Sequence, residues 1–576
     1  MAHLYKKVKK GREYYYIREN QRVKGKSTTV NQVYLGTADK VETLLGRGGI
    51  SPKEFGSVFV INELDKDLDL AGIVNEILPP KKRTKGPSLG DMVFYAALNR
   101  AIAPTSKRQL AAWYETTDIQ RIRPLRLESL NSQNFWNHWD RINDSDLERI
   151  AVTFFKKVNS LWANGERRLL IEAARLPATP KSPLLAEAWP DEEFVGQPQQ
   201  PGSGLALVSA WPQRVPLSYQ IFSGNLSEGT FFDRGLDGLL ARVAHLGVPV
   251  KDVTLLFHRG IDSEALVSRL NGQEGLHFIA SCPPEAAPEL TKISMKEFSP
   301  LPGLAQGLHP TLGDDDGQAL FYETRADFWG RSRRVFVTFD PEAFQKSYWD
   351  LGKKVRRVRR EMAALEQGCM QAESGKEVPQ ALKDRLTQLC QRLQISPSLF
   401  KWVREKGRSH PVLELDHCQM ADSVRNFGKQ IYITDREDWA PAEIFEACSS
   451  RWVQEAQSPG GKINGLRAAN GGEPLSAMPV APRPFYHWTG SKIRVHLFVC
   501  VAAMTYLALL CQRLSAQGFH LAPREAVEEL RSLRTAIFKE KEDGKLKRMV
   551  EPVSNRQSAI LRAMGYQVKD GDILPL

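Results

Sequence analysis

Along this chain the spacing of apolar positions changes period several times, and each change marks a boundary between predicted elements. Residues 4–36 alternate in short runs broken by glycine, "YYYIREN" and then "STTVNQVYLG", which predicts a small β-meander. Tyr14, Tyr15 and Tyr16, followed by the basic turn "NQRVKGKS", make that meander exposed and basic. Residues 57–76 read as a strand leading into a short helix, and "PPKKRTKGP" (79–87) as a Pro/Gly-bounded linker. From about Ser88 to Val158 the period is helical. "SLGDMVFYAALNRAI", "SKRQLAAWYETT" and "SLNSQNFWNHWDRI" each open on serine, and "SDLERIAVTFFKKV" adds an aspartate in its first turn. Serine caps are therefore expected. Trp113, Phe135, Trp136 and Trp139 fall at helical spacing and read as core. The competing reading has this bundle present a helix to DNA.

Strands and helices alternate next. "RRLLIEAARL" (167–176), "GLALVSAW" (204–211) and "VPLSYQIFSGN" (215–225) predict three meandering strands, with residues 177–203 as a Pro-, Gly- and acid-rich loop. The helix "TFFDRGLDGLLARVAHLG" (230–247), strand "DVTLLFHRG" (252–260), helix "DSEALVSRLN" (262–271) and strand "LHFIASC" (276–282) follow. A meander followed by β-α-β crossovers predicts an α/β fold with an RNase H-like mixed sheet flanked by helices. A large α+β insertion interrupts it over 285–428, with strands "ALFYETRADFWG" and "SRRVFVTFD" and helices from about Trp349 to Gln371 and near 379–394. A strand and helix at 429–457, a Gly/Pro-rich stretch (458–484) and a mostly helical 485–540 close the pattern. The predicted division is 1–56, a basic β-rich module; 57–160, a helical DNA-binding region; 161–284, the first part of the core; 285–428, the insertion; and 429–576, the last part of the core with C-terminal helices. Two to four domains is the prior for 576 residues.

Charge narrows the partners. A formal net charge of +12 favours polyanions, and the segment "KKVRRVRR" (353–360) concentrates it. That run reads either as the solvated face of a helix or as a phosphate-binding face. The most apolar stretch, Leu497 to Leu510, falls short of the roughly 18 residues a membrane helix needs and reads as a core helix. The basic N-terminus has no apolar segment of the kind a signal peptide carries. Seven scattered cysteines with no Cys-x-x-Cys pair point to a reducing cytoplasm and against structural zinc.

The stretch "LLFHRGIDSEAL" (255–266) carries the candidate chemistry: a buried strand ends at His258-Arg259-Gly260 before a helix. With "VYLG", "LNSQNFWNHWDRI", the Gly224-Asn225 pair after the third strand, "FGKQIYITD" and "RPFYHWTGSKIRVHLFVCVAAMTYLALL" (483–510), it resembles the DDE-type insertion-sequence transposases of the insertion sequence 1634 group. The resemblance runs over most of the chain. It implies three carboxylates holding two Mg²⁺ or Mn²⁺ ions about 3.5–4 Å apart for in-line phosphodiester attack. It also implies double-stranded DNA (the element's ends) as partner, a homodimer on that DNA, no membrane, and a cytoplasmic, nucleoid-associated protein.

Carried over, the triad reads Glu172, His258 and Glu455, with Lys462 as the motif lysine and Arg259, Lys462, Lys492 and Arg494 as DNA contacts. Glu172 and Glu455 remain as metal ligands, weakened or lost. Glu172 is one methylene longer than the family's aspartate, and Pro459-Gly460-Gly461 follows Glu455 closely enough to end its helix. An imidazole at 258 is neutral or cationic and prefers softer metals than Mg²⁺. Loss of a transition-state charge stabiliser costs about 3–4 kcal/mol, and loss of a metal more. Asp262 and Asp252 are the nearest acids for rescue: one reads as a helix-start residue, the other lies at the far end of the strand. A His/Glu/Glu site for Mn²⁺ or Zn²⁺ is the remaining metal-binding reading. A lone buried Glu172 is expensive, so it is expected to face a cleft or pair with Arg175 or Arg259. The expected function is a DNA-binding, transposase-like protein with impaired catalysis. The alternatives are a repurposed regulator or inhibitor of active relatives, and a decaying pseudogene product.

Overall fold

The computed structural model describes residues 2–9, 12–23, 26–37, 52–80, 86–161, 168–177, 202–223, 228–258, 264–301, 320–369, 378–403, 412–449, 490–539 and 546–576. The chain forms two compact units, one of residues 1–141 with 509–576 and one of residues 142–508.

The first unit begins with the expected meander. Strands Ala2–Lys9, Arg12–Val23 and Lys26–Thr37 pair antiparallel in that order, with Tyr16 in register with both Tyr5 and Tyr34. The start of residues 57–76, expected as a strand leading into a short helix, is instead part of the helix Gly56–Leu68. The β-branched run misleads because Val58, Val60, Ile61 and Leu64 are all fully buried, and tertiary packing overrides local propensity. Asp69 ends that helix at φ 52 and caps the next, Leu70–Ile77, through the Gly72 amide. Ser88 caps the helix Leu89–Ile102 as expected: its Oγ accepts from the Asp91 amide at 3.0 Å, while the Asp91 carboxylate accepts from the Ser88 amide at 2.9 Å.

The other two serines do not cap. Ser106 bonds Gln109, and the helix Leu110–Glu115 starts beyond it. Ser129 lies in a 3-10 turn, so Asn131, in extended backbone, caps Ser132–Trp139. Phe135 and Trp139 are core residues, whereas Trp113 and Trp136 are half-buried. After the helix Pro523–Arg531, the strand Arg534–Lys539 pairs with Leu546–Val550 and with Lys53–Glu54.

The second unit is a large mixed sheet flanked by helices. Its strands, numbered along the chain, are β1 (Arg168–Pro177), β2 (Gly202–Trp211), β3 (Val215–Ser223), β4 (Val253–His258), β5 (Leu276–Cys282), β6 (Ser299–Pro300), β7 (Leu320–Phe328), β8 (Arg331–Phe339) and β9 (Lys429–Thr434). Their order across the sheet is β6-β7-β8-β9-β5-β4-β1-β2-β3. The β1-β4 and β4-β5 pairs are parallel and all the others antiparallel. Unbroken apolar runs in β1 and β4 follow from burial on both faces. Both edge strands, β3 and β6, carry a proline, Pro216 and Pro300.

One face buries Leu170, Leu256, Ile279, Phe336 and Tyr432 under Ile444, Phe445 and Cys448 of the helix Pro441–Ser449. On the other face the helix Glu228–His245 packs on β1 and β4, where Phe232 meets Phe257. The insertion supplies β6–β8 to the sheet and then builds its own core. There Leu351, Val355, Val358 and Met362 of the helix Pro341–Cys369 pack with Leu382, Leu386 and Leu389 of the helix Gln380–Leu393. The long helix starts two turns before the expected Trp349, because Asp340 accepts from the Ala343 amide at 3.0 Å and Pro341 fits a first turn. Among the described residues the helix Gly490–Ala516 alone is long and apolar enough to cross a membrane, and 94% of its most apolar window is buried inside the protein.

Candidate functional site

Glu172 sits at mid-strand in β1, in register with Leu207 on β2 and Leu256 on β4. It is 5% exposed. Alternation puts position 172 on the sheet face of Leu170, Leu256 and Ile279, beneath the helix Pro441–Ser449. β4 ends at His258, whose backbone is in register with Ser281, and position 258 falls on the same face two residues beyond Leu256. The parallel β1-β4 pairing thus brings the first two sequence-predicted positions to neighbouring strands. Gly224, Asn225, Arg259, Asp262, Glu455 and Lys462 lie outside the described residues.

Among the described residues Arg214 pairs with Glu172, with 3.7 Å between Nη1 and Oε1, and both side chains are 6% exposed. Neither expected partner, Arg175 or Arg259, has a described side chain. Arg214 ends the turn between β2 and β3 in the left-handed region at φ 59. From there its Nη2 donates to the backbone carbonyls of Glu446 at 3.3 Å and Ala447 at 3.0 Å. Burial lowers the pKa of this guanidinium, and the charge of Glu172 opposes that shift. A carboxylate this deep is tolerable only beside a cation.

The turn is fixed by aromatic stacking. The Arg214 guanidinium lies 4.7 Å from the Trp211 ring centroid, and Trp211 stacks on Trp439 at 5.3 Å and 13°. Arg168 and Arg436 lie over the Trp439 ring at 5.3 and 4.7 Å. Trp439 precedes the helix Pro441–Ser449, so this ladder anchors that helix over the face holding Glu172.

Asp252 is occupied elsewhere. It pairs with the buried Arg436, whose Nε donates to Thr254 Oγ1 at 3.0 Å, at the end of β4 away from His258. Lys492, expected as a DNA contact, is buried at 3% exposure. Arg494, expected in the same role, pairs with Asp144 at 2.7 Å. Sequence reading missed Arg214 and Arg436. "WPQRVP" carries a turn signal but nothing that says how far its arginine reaches, whereas the acids around "TDREDW" do flag Arg436 as an ion-pair residue.

Two divalent ions need several hard oxygen donors converging on one point. Among the described residues no group of three or more His, Cys, Asp or Glu side chains is placed to hold a metal ion. Glu172, the one described member of the predicted set, faces a guanidinium instead. Beside that guanidinium Glu172 is a poor ligand for a divalent ion.

No family model matches the chain, and none of the curated proteins does. Among solved structures it is similar to the piggyBac transposase of a synaptic complex with hairpin DNA, determined by cryo-electron microscopy. The two share 9% identity over 84% of this chain and 81% of that one, with a TM-score of 0.31.

Proposed function

We propose that this chain is a transposase-like, DNA-acting protein built on an RNase H-like core, and that its phosphodiester chemistry is impaired. The observation that supports this reading is the strand pattern around Glu172. The order β3-β2-β1-β4-β5, with β1–β3 antiparallel and β4 and β5 parallel to β1, is the arrangement the sequence resemblance implies for such a core. The family's two strand-borne carboxylates would stand at 172 and 258 in this arrangement. Here one is a glutamate beside Arg214 and the other is a histidine. A guanidinium neutralises one carboxylate but offers no coordination site, and an imidazole supplies no oxygen anion. The charge that would gather hard cations is thereby reduced at both strand positions. The second reading, a non-catalytic regulator or an inhibitor of active relatives, follows from the same residues if DNA binding persists without cleavage.

A nicking assay on supercoiled plasmid carrying the element's ends, with Mg²⁺ or Mn²⁺, separates these readings. The expected outcome is no cleavage above background, with partial recovery at best in the Glu172→Asp/His258→Asp double variant. Clear cleavage by the natural chain that vanishes with Glu455→Ala overturns the impaired reading. Absence of DNA binding at low salt overturns the DNA-acting reading altogether.

A further inference from the structure

The long insertion helix Pro341–Cys369 carries seven Lys/Arg against four Asp/Glu, and their arrangement matters more than their number. Its apolar seam, Leu351, Val355, Val358 and Met362, is buried in the insertion's own core. At 3.6 residues per turn, Lys346, Trp349, Lys353, Arg356 and Arg360 fall within an arc of about 80° on the opposite side. All five are exposed, and Trp349 at 54% is the most exposed aromatic among the described residues.

Arg357, at the border of this arc, is engaged with Glu361 at 2.9 Å, and Glu361 also accepts from Arg392. Lys353 stands 3.6 Å from Asp350, but both side chains are more than half exposed, so water screens that pair heavily. Among the described residues Lys346, Arg356 and Arg360 have no ion-pair partner. The stripe runs about 21 Å, on the order of six base-pair steps.

We infer that this stripe is a docking surface for the phosphate backbone of duplex DNA, with Lys346, Lys353, Arg356 and Arg360 as the contacts and Trp349 packing against the sugar–phosphate edge. The inference rests on the DNA-acting reading and adds a surface to it, away from the β1–β4 face. Charge complementarity selects the occupant: a row of exposed cations along one straight helix fits a polyanion of regular spacing. An anionic membrane fits worse, because an interfacial helix must bury its apolar face in lipid, and here that face is committed to the insertion's core.

The test is a salt series of duplex-DNA binding by the full chain and by the Lys346→Ala/Lys353→Ala/Arg356→Ala/Arg360→Ala variant. A control exchanges three exposed lysines elsewhere, Lys251, Lys296 and Lys401, for alanine. Each lost phosphate contact lowers the slope of log K against log salt by about 0.9, so the quadruple variant should lose between three and four, and the control much less. Should the quadruple variant fold poorly, Arg356→Gln/Arg360→Gln is expected to lose roughly two. A variant that binds with the natural slope and affinity overturns the docking surface and leaves the DNA-acting reading standing. A natural chain that binds no duplex at low salt overturns both, and that includes one that binds anionic vesicles instead.

Discussion

Removing Glu172 or Arg214 singly should expose what their pairing contributes. Both side chains are 6% exposed and stand 3.7 Å apart, so either single truncation takes a counter-charge away from a nearly dry ion. Breaking a buried pair from one side costs about 3–5 kcal/mol. Arg214→Met carries a further loss, because two carbonyls of the helix Pro441–Ser449, at 3.3 and 3.0 Å, forfeit its donated bonds at about 1 kcal/mol each. Glu172→Leu spares those bonds and should lie at the low end of the range. The double variant Glu172→Leu/Arg214→Met removes both members of the pair, so it should be more stable than the sum of the single losses by about 2 kcal/mol or more. Urea unfolding of all four proteins, followed by a probe specific to the second unit, closes this cycle. A Glu172→Leu protein within about 0.5 kcal/mol of the natural chain would refute the reasoning, since Arg214 would then not depend on Glu172. The same pairing predicts indifference to Mg²⁺. A cation binding only the folded state at a hundredfold excess over its Kd would add about 2.7 kcal/mol, and no such gain is expected.

Three further outcomes follow from the geometry. Ser88→Ala removes the cap of the helix Leu89–Ile102 and its reciprocal bond with Asp91, and should cost about 1 kcal/mol in thermal or urea unfolding. Burial raises the hydroxyl pKa values of Tyr95, Tyr114 and Tyr219, so the folded protein keeps protons that the unfolded chain releases; their contribution is complete below about pH 10 and is lost as pH rises beyond it. Tyrosinate absorbance from these three should appear late and together with unfolding, and their titration in the folded protein with the exposed tyrosines would contradict this. Cys418 is exposed while Cys282, Cys390, Cys500 and Cys511 are buried, with the Cys511 thiol pushed up to about 12 by burial. Alkylation of the native protein, mapped by mass spectrometry, should therefore mark Cys418 well before these four.

The first five strands of the large sheet were readable because each is a compact apolar run bounded by turn residues, whereas nothing in the insertion's sequence said that its strands extend the same sheet. β5 matches the expected residues 276–282 end to end. The start of 57–76 deceived because β-branching signals a strand only where packing leaves the choice to the backbone, and here the helix buries all its residues but Phe59, Lys66 and Asp67. The serine caps at 106 and 129 failed for a local reason, since a nearby polar side chain or a 3-10 turn claimed each serine first. At the site, Glu172 announced itself as a charge inside an apolar strand. Its partner was silent, because Arg214 lies 42 positions away and reaches Glu172 only through a turn whose course depends on Trp439, more than two hundred residues further on. Lys492 stands in the first turn of the long apolar helix Gly490–Ala516, and there it is buried.

Pro216 and Pro300 sit on the two outermost strands of the nine-stranded sheet, and a proline has no amide hydrogen to offer a newcomer. One border is thus interrupted near its start, and the other is only two residues long. Neither margin makes a good template for a further strand, so the broad β surface is protected against runaway stacking. Any self-association of this protein should accordingly proceed through side chains and helices, without adding strands at Pro216 or Pro300.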